Sequence, residues 1–148
     1  MILDKLAEFC DATAVNTGGV ASYLVGNVMD LGPNSRDIGV GGCMYLVINV
    51  DTAIASATGS LKFSLCSDAQ AAIAVDGSQT IHCTVGPFLQ AAMVAGKMLA
   101  VIELPQGKQY ERYLGIVQET ITAAMTAGNI NAFLTTDPSV WTAYQNAI

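Results

Sequence analysis

The sequence predicts an all-β protein, an antiparallel β-sandwich or barrel with one or two short helical turns. Apolar and polar residues alternate with a period of two in several short segments. Turns rich in Gly and Pro separate these segments, and helical signals are confined to single turns. Many short strands joined by such turns are typical of sandwiches and barrels rather than of a parallel α/β sheet.

Seven segments are predicted to be strands. The clearest is residues 60–66, where Leu61, Phe63 and Leu65 share one face, while Ser60, Lys62 and Ser64 form a face expected to be wet. Residues 44–50 are apolar on both faces as far as Asn49, which predicts a central strand. The full set is 25–31, 44–50, 60–66, 79–85, 97–104, 112–118 and 129–135. The last two are expected to form a hairpin around a turn at residues 126–128, Thr-Ala-Gly.

Two positions predict a short helical turn. Ser67 and Gln70 have the spacing of a capping box and precede Ala71, Ala72 and Ile73. Asp137 precedes Pro138, a residue that is tolerated in the first turn of a helix. With 148 residues, the chain is expected to form one domain over residues 1–148.

Charge is unusually sparse in this chain. Only 12% of residues are charged and 52% are hydrophobic, whereas an average domain carries about 25% charge. This composition fits either a surface of small neutral residues or a surface covered in an assembly. The net charge of −6 and the scattered basic residues argue against nucleic acid and against an anionic membrane as partners. The uncharged stretches 12–29 and 120–136 are too polar for a membrane helix, and the charged N-terminus makes a signal peptide unexpected.

No residue pattern predicts catalytic, cofactor-binding or metal-binding residues. His82 is the single histidine, and its neighbour Cys83 is expected on the opposite strand face. The glycines at 39, 41 and 42 precede a strand, so they are interpreted as a turn rather than a phosphate loop. The carboxylates form no calcium-loop pattern and are expected on the surface. The four cysteines are expected to be buried free thiols.

The candidate interface residues are apolar or aromatic. Tyr and Trp are enriched at interface hot spots, and the segment 1–9 is apolar enough to dock on a neighbour or on its own domain. The candidates are Ile2, Leu3, Phe9, Tyr110, Tyr113, Trp141 and Tyr144.

Several short pieces of the chain resemble, in chain order, the capsid cement proteins of Bordetella-phage type from short-tailed phages. The pieces are Met1–Lys5 with Phe9 and Asp11, Asp30-Leu31-Gly32, Arg36-Asp37-Ile38-Gly39, Met44-Tyr45-Leu46-Val47, Glu111-Arg112-Tyr113-Leu114-Gly115, and residues 126–135. Together they span nearly the whole length of the chain.

This resemblance implies a jelly-roll sandwich without catalysis that stabilises the outside of a major capsid shell. The implied partners are the major capsid protein and the chain itself, as a homodimer or alternatively a trimer, assembled in the bacterial host cytoplasm and located on the virion. The alternative hypothesis is a β-sandwich binding module of the virion that recognises a glycan or a receptor.

Overall fold

The computed structural model describes residues 5–34, 38 and 42–138, and this part of the chain contains eight strands. Short 3-10 turns lie at Lys5–Ala7 and Gln90–Ala92. The strands are β1 (Glu8–Ala14), β2 (Ser22–Asp30), β3 (Tyr45–Ser56), β4 (Ser60–Asp68), β5 (Thr80–Leu89), β6 (Met98–Glu103), β7 (Tyr113–Ile121) and β8 (Met125–Thr135).

The strands form two four-stranded antiparallel sheets. One sheet has the order β1-β8-β3-β6 and the other has the order β2-β7-β4-β5. This alternation of strands between two packed sheets is the connectivity of a jelly roll. The predicted antiparallel sandwich is therefore confirmed, and so is the jelly-roll form implied by the resemblance.

The core lies between the two sheets. From β4 it receives Leu61, Phe63 and Leu65, which are all buried, as the alternation predicts. The opposite face of β4 was expected to be wet, and that prediction is wrong for Ser60 and Ser64, which are also buried. The central strand β4 is flanked by β7 and β5, and Ser64 shares a hydrogen bond of 2.8 Å with the Thr84 hydroxyl on β5.

A second apolar cluster lies on the outer face of the β2-β7-β4-β5 sheet. Ile73, from the loop between β4 and β5, packs there with Cys66 and Val117. Gly115 makes room for this contact, because a Cβ at that position would lie 2.7 Å from Ile73 Cδ1. The loop therefore serves as a lid over the sheet.

The capping box at Ser67 does not start a helix, so this prediction is wrong. Ser67 belongs to β4 and is fully buried. The carboxylate of Asp68 instead accepts hydrogen bonds from the N–H groups of Gln70 and Ala74, both at 3.0 Å. These bonds hold the loop so that Ile73 reaches the apolar cluster, and burying Ile73 outweighs the local helical preference. The second predicted turn, at Asp137 and Pro138, lies at the end of the described residues.

Strand β1 is not predicted by periodicity. Its pairing with β8 shifts register between Glu8 and Cys10 and again between Cys10 and Thr13. Ala12, which lies in the second shift, has a positive φ of 43°. Because each shift interrupts the alternation of faces, the sequence shows no regular period-two pattern there.

The predicted hairpin of the last two strands is wrong. β7 pairs with β2 and β4, whereas β8 pairs with β1 and β3, so the chain crosses between the sheets after Ile121. Residues 126–128 lie inside β8 rather than in a turn. Gly128 has a φ of +125°, and the β3–β8 register shifts on either side of it. The glycine therefore marks an irregular point within a strand.

The four cysteines are free thiols, as expected, but they differ in burial. Cys10 and Cys66 are buried, which raises the pKa of each thiol to about 12. Cys83 is half-buried, and burial raises its pKa as well. Cys43 is exposed, so the expectation of burial is wrong for this residue. Among the described residues, no helix has both the length and the apolar character needed to cross a membrane.

Candidate interaction surface

Two of the candidate interface residues lie in the core. Phe9 on β1 and Tyr110 before β7 are both 0% exposed and belong to the cluster between the sheets. The Tyr110 hydroxyl donates to the carbonyl of Pro105 at 3.1 Å, so the polar end of the ring is satisfied internally. Both side chains therefore stabilise the fold and do not reach the surface, so the prediction that Phe9 and Tyr110 form an interface is wrong.

Tyr113 does lie at the surface, at the start of β7. It is half-buried and pairs in register with Asp30 at the end of β2. The Arg112 guanidinium lies 4.9 Å from the centre of the Tyr113 ring, within the range of a cation–π contact. Ile2, Leu3, Trp141 and Tyr144 lie outside the described residues.

Arg112 also forms a bidentate ion pair with Asp30. Its Nε lies 2.9 Å from Asp30 Oδ1 and its Nη2 lies 2.8 Å from Oδ2. The Gly32 N–H adds a third bond to Oδ1 at 2.8 Å. The hydrogen bonds from Arg112, with that from Gly32, lower the pKa of the Asp30 carboxyl to about 2. Beside this pair is an open cavity of about 390 Å³, lined by Pro33, Ala69, Glu111 and Arg112.

This ion pair gives the stability of the fold a predicted pH dependence. Because the folded pKa of Asp30 is lowered, its stabilising effect is present above the unfolded value near 4 and is lost as the pH falls towards 2. We expect Asp30→Asn to lower the melting temperature slightly at pH 6, and we expect this difference to shrink as the pH falls to 2, where about half of the Asp30 carboxyl is protonated. Thermal melts across this pH range test it, and a difference at pH 2 as large as that at pH 6 would contradict the assignment. Because the pair is exposed, added salt should shrink the difference at pH 6.

A polar cluster of Ser67, His82 and Glu111 lies near this cavity. Ser67 Oγ is 2.8 Å from His82 Nε2 and 3.1 Å from Glu111 Oε2, and it accepts the Glu111 N–H at 3.2 Å. The His82 ring also stacks on Tyr110 at a centroid distance of 4.1 Å. Burial is the main cause of the lowered pKa of His82.

The arrangement of this cluster does not suit a nucleophilic serine. The Ser67 hydroxyl has a single proton, and the Glu111 carboxylate accepts it more strongly than the His82 nitrogen would. We therefore assign the bond between Ser67 Oγ and His82 to donation by His82 Nε2–H. His82 then cannot act as a base toward Ser67, and Ser67 is 0% exposed. The cluster joins β4 and β5 to Glu111, which lies two residues before β7, as a structural network.

One further carboxylate, that of Asp76, also stabilises the fold. Asp76 accepts from the Ser78 N–H at 3.0 Å and from the Ser78 hydroxyl at 2.7 Å, and these bonds lower its pKa. The described residues include no group of three or more His, Cys, Asp or Glu side chains arranged to hold a metal ion.

Aliphatic side chains are the surface feature that sequence reasoning missed. Seven large ones are between 42% and 82% exposed: Leu6, Val20, Val75, Ile81, Leu89, Val94 and Val101. The alternation pattern predicts that Ile81 lies in a strand, residues 79–85. It does not show which face of that strand is exposed to solvent. The ion pairs Lys62–Glu119, Lys5–Glu8 and Arg112–Asp30 are the salt bridges of the described chain.

Comparison with known proteins adds one match. The family model Bbp16 matches residues 9–134, a span that begins in β1 and ends in β8 and therefore includes all the intervening strands. No curated protein matches the chain significantly. Because the family match covers most of its length, the chain belongs to the Bbp16 family, a family of Bordetella phage proteins.

Proposed function

We propose that the protein is a non-enzymatic capsid cement protein. It binds the outside of a phage major capsid shell and bridges neighbouring capsomers. The observation that carries this proposal is membership of a phage protein family across all eight strands, in a chain whose motifs resemble those of capsid cement proteins. The location on the outer virion surface is part of the same proposal.

The surface supports a role in protein contacts. Exposed aliphatic side chains such as Leu6 and Leu89 lose water-exposed apolar area when a partner covers them, which favours association. The sparse charge leaves few ionic groups to desolvate at such an interface. A surface with these properties is better suited to direct contact with another protein than to attracting a charged ligand from a distance.

The mechanism follows from binding equilibria. A protein that binds the assembled shell, and not its separated subunits, stabilises the shell by mass action. When one molecule binds two neighbouring capsomers, the second contact forms intramolecularly. The overall affinity for the shell is therefore high even if each contact is weak. Self-association, as a homodimer or alternatively a trimer, multiplies these contacts in the same way.

Tyr113 is the proposed contact residue within the described chain. Its ring lies at the surface with Arg112 over one face, and Tyr and Arg are both enriched at interface hot spots. The Arg112–Asp30 pair fixes the guanidinium, so less side-chain freedom is lost when a partner covers this patch.

A heat challenge of the cognate shells tests the proposal. Empty shells that lack the protein are incubated with the wild type, with Tyr113→Ala or with Tyr45→Ala, and shell disruption is followed by light scattering. Tyr45, also half-buried but on β3 of the other sheet, is the matched control. We expect the wild type and Tyr45→Ala to raise the disruption temperature, and Tyr113→Ala to need about tenfold more protein for the same effect.

Two results would count against the proposal. Shells that neither bind nor gain heat resistance from the wild-type protein would contradict the cement role itself. A reproducible glycan hit that is lost in Tyr113→Ala, without shell binding, would favour the virion binding module instead. Urea unfolding of each variant confirms that the substitutions leave the fold intact.

A further inference from the structure

The outer face of the β1-β8-β3-β6 sheet carries a row of side chains that crosses all four strands. Glu8 on β1 lies opposite Phe133 on β8, which lies opposite Val47 on β3, which lies opposite Val101 on β6. Residues directly opposite each other share a face of the sheet. Ile48, the neighbour of Val47, belongs to the cluster between the sheets, so the row points away from that cluster.

The middle of this row is buried although it faces outward. Val47 is 0% exposed and Phe133 is 1% exposed, and neither belongs to the two apolar clusters described above. Burial extends to β1, where the Glu8 side chain is 9% exposed, and ends before β6, where Val101 is 45% exposed. A further layer of chain therefore covers β1, β8 and β3, a width of about 10 Å.

A polar group on the same face also requires a covering partner. Asn49, two residues after Val47 on β3, is 1% exposed, and its Oδ1 accepts a hydrogen bond from Asn131 Nδ2 at 2.9 Å. The Nδ2 of Asn49 is buried and has no hydrogen-bond partner among the described residues. Because a buried amide N–H is costly unless it is bonded, the covering layer is expected to bring an acceptor.

We propose that residues 139–148 of the same chain form this covering layer. Phe133 lies near the end of β8, which stops at Thr135, and the described residues end at Pro138. The segment that follows therefore starts beside the buried row. Its ten residues reach about 15 Å even in the compact form of a helix, which exceeds the width to be covered.

The composition of residues 139–148 suits this position. Trp141, Tyr144 and Ile148 are large and apolar or aromatic, and the segment contains no Asp, Glu, Lys or Arg. A packed Trp or Tyr buries about 150–250 Å² of surface, enough to cover neighbouring side chains on the sheet. The side-chain carbonyl of Gln145 and the main-chain carbonyls are acceptors of the kind that Asn49 Nδ2 requires.

The other segments outside the described residues fit the row less well. Residues 1–4 are fewer and include Asp4, whose charge would be buried against apolar side chains. Residues 35–37 and 39–41 include Arg36 and Asp37, and Ile38 between them packs against the cluster between the sheets.

This inference gives Trp141 and Tyr144 a role within the subunit instead of at a partner. The row that contains Phe133 and Val47 then belongs to a third apolar layer of the fold and not to an adhesive surface. The inference does not depend on the cement role, and its tests use no shells.

The fluorescence of the wild-type protein provides the first test. Trp141 is the only tryptophan of the chain, so the emission reports on residue 141 alone. We expect the native protein to emit at shorter wavelength than the urea-unfolded chain and to be quenched less by acrylamide. Because the segment covers its own sheet, both properties should be unchanged over a dilution series.

A double-mutant cycle provides the second test. In urea unfolding followed by circular dichroism, Trp141→Ala should raise the unfolding equilibrium constant about fivefold less in the Val47→Ala background than in the wild type. Val117→Ala is the matched control for Val47→Ala. Val117 is also buried on the outer face of a central strand, but it lies in the other sheet and packs with Ile73. Its effect and that of Trp141→Ala should add to within about twofold.

Three results would overturn the proposal. Quenching of native Trp141 as strong as in the unfolded chain would mean that the segment does not cover the sheet. Protection that is lost on dilution would assign the covering layer to a second copy. Additive effects of Val47→Ala and Trp141→Ala, equal to those of the control pair, would assign it to another part of the chain.

Discussion

Gly128→Ala is expected to lower the free energy of unfolding by about 2–5 kcal/mol, the sum of backbone strain and steric overlap. Gly128 has a φ of +125°, which an L-residue rarely adopts. A Cβ there would lie 2.6 Å from Ile54 Cα, a backbone atom that cannot move without shifting β3. Urea unfolding measures the loss as a lower midpoint with an unchanged slope.

Gly96→Ala is the matched control for this experiment. Gly96 also has a positive φ, of +78°, but a Cβ there would meet no atom within 4 Å. We expect this variant to lose only the strain contribution, about 1–2 kcal/mol. Equal losses in the two variants would mean that the close approach of β8 to β3 does not constrain residue 128.

Phe63→Ala should have an effect of similar size, a loss of about 3–5 kcal/mol in the free energy of unfolding. Phe63 is 1% exposed on the inner face of β4, where sequence-distant strands of both sheets surround it. Removing the ring costs its burial and leaves a cavity that the rigid sandwich cannot fully close.

Phe88→Ala provides the comparison for Phe63. Phe88 lies on the edge strand β5, packs against the same core and is only partly buried. Phe88→Ala should lower the free energy of unfolding by clearly less than Phe63→Ala, because solvent can fill the space that the ring leaves at the margin of the sandwich. Both variants are compared at one low protein concentration, so that self-association does not contribute to their stability. If Phe88→Ala lowered the free energy of unfolding as much as Phe63→Ala does, the assignment of the core to the space between the two sheets would be contradicted.

Periodicity predicted β4 because its pairing with β7 runs from Ser60 to Asp68 without a register shift. In β4, Leu61, Phe63 and Leu65 alternate without a break, and the structure places all three in the core. β1 was not predicted because its register shifts twice within seven residues. Gly128 was interpreted as a turn because sequence alone does not distinguish a glycine in a turn from one inside an irregular strand.

The candidate contact residues were harder to predict than the fold. Tyr110 was a reasonable interface candidate by residue type. In the structure, however, its hydroxyl donates to the Pro105 carbonyl and its ring packs against His82. Both contacts depend on the tertiary structure, which the sequence does not show. Ile81 was predicted to lie in a strand, yet its exposure depends on β5 being a sheet edge. Strand order is a long-range property that local alternation does not reveal.

The most direct test of the proposed role is a cryo-electron microscopy reconstruction of cognate shells incubated with this protein. We expect extra density on the outer surface, placed over boundaries between capsomers and fitted by the two four-stranded sheets. Shells incubated without the protein should lack this density. Density inside the shell, density confined to a tail, or a surface identical to that of the untreated shells would contradict it.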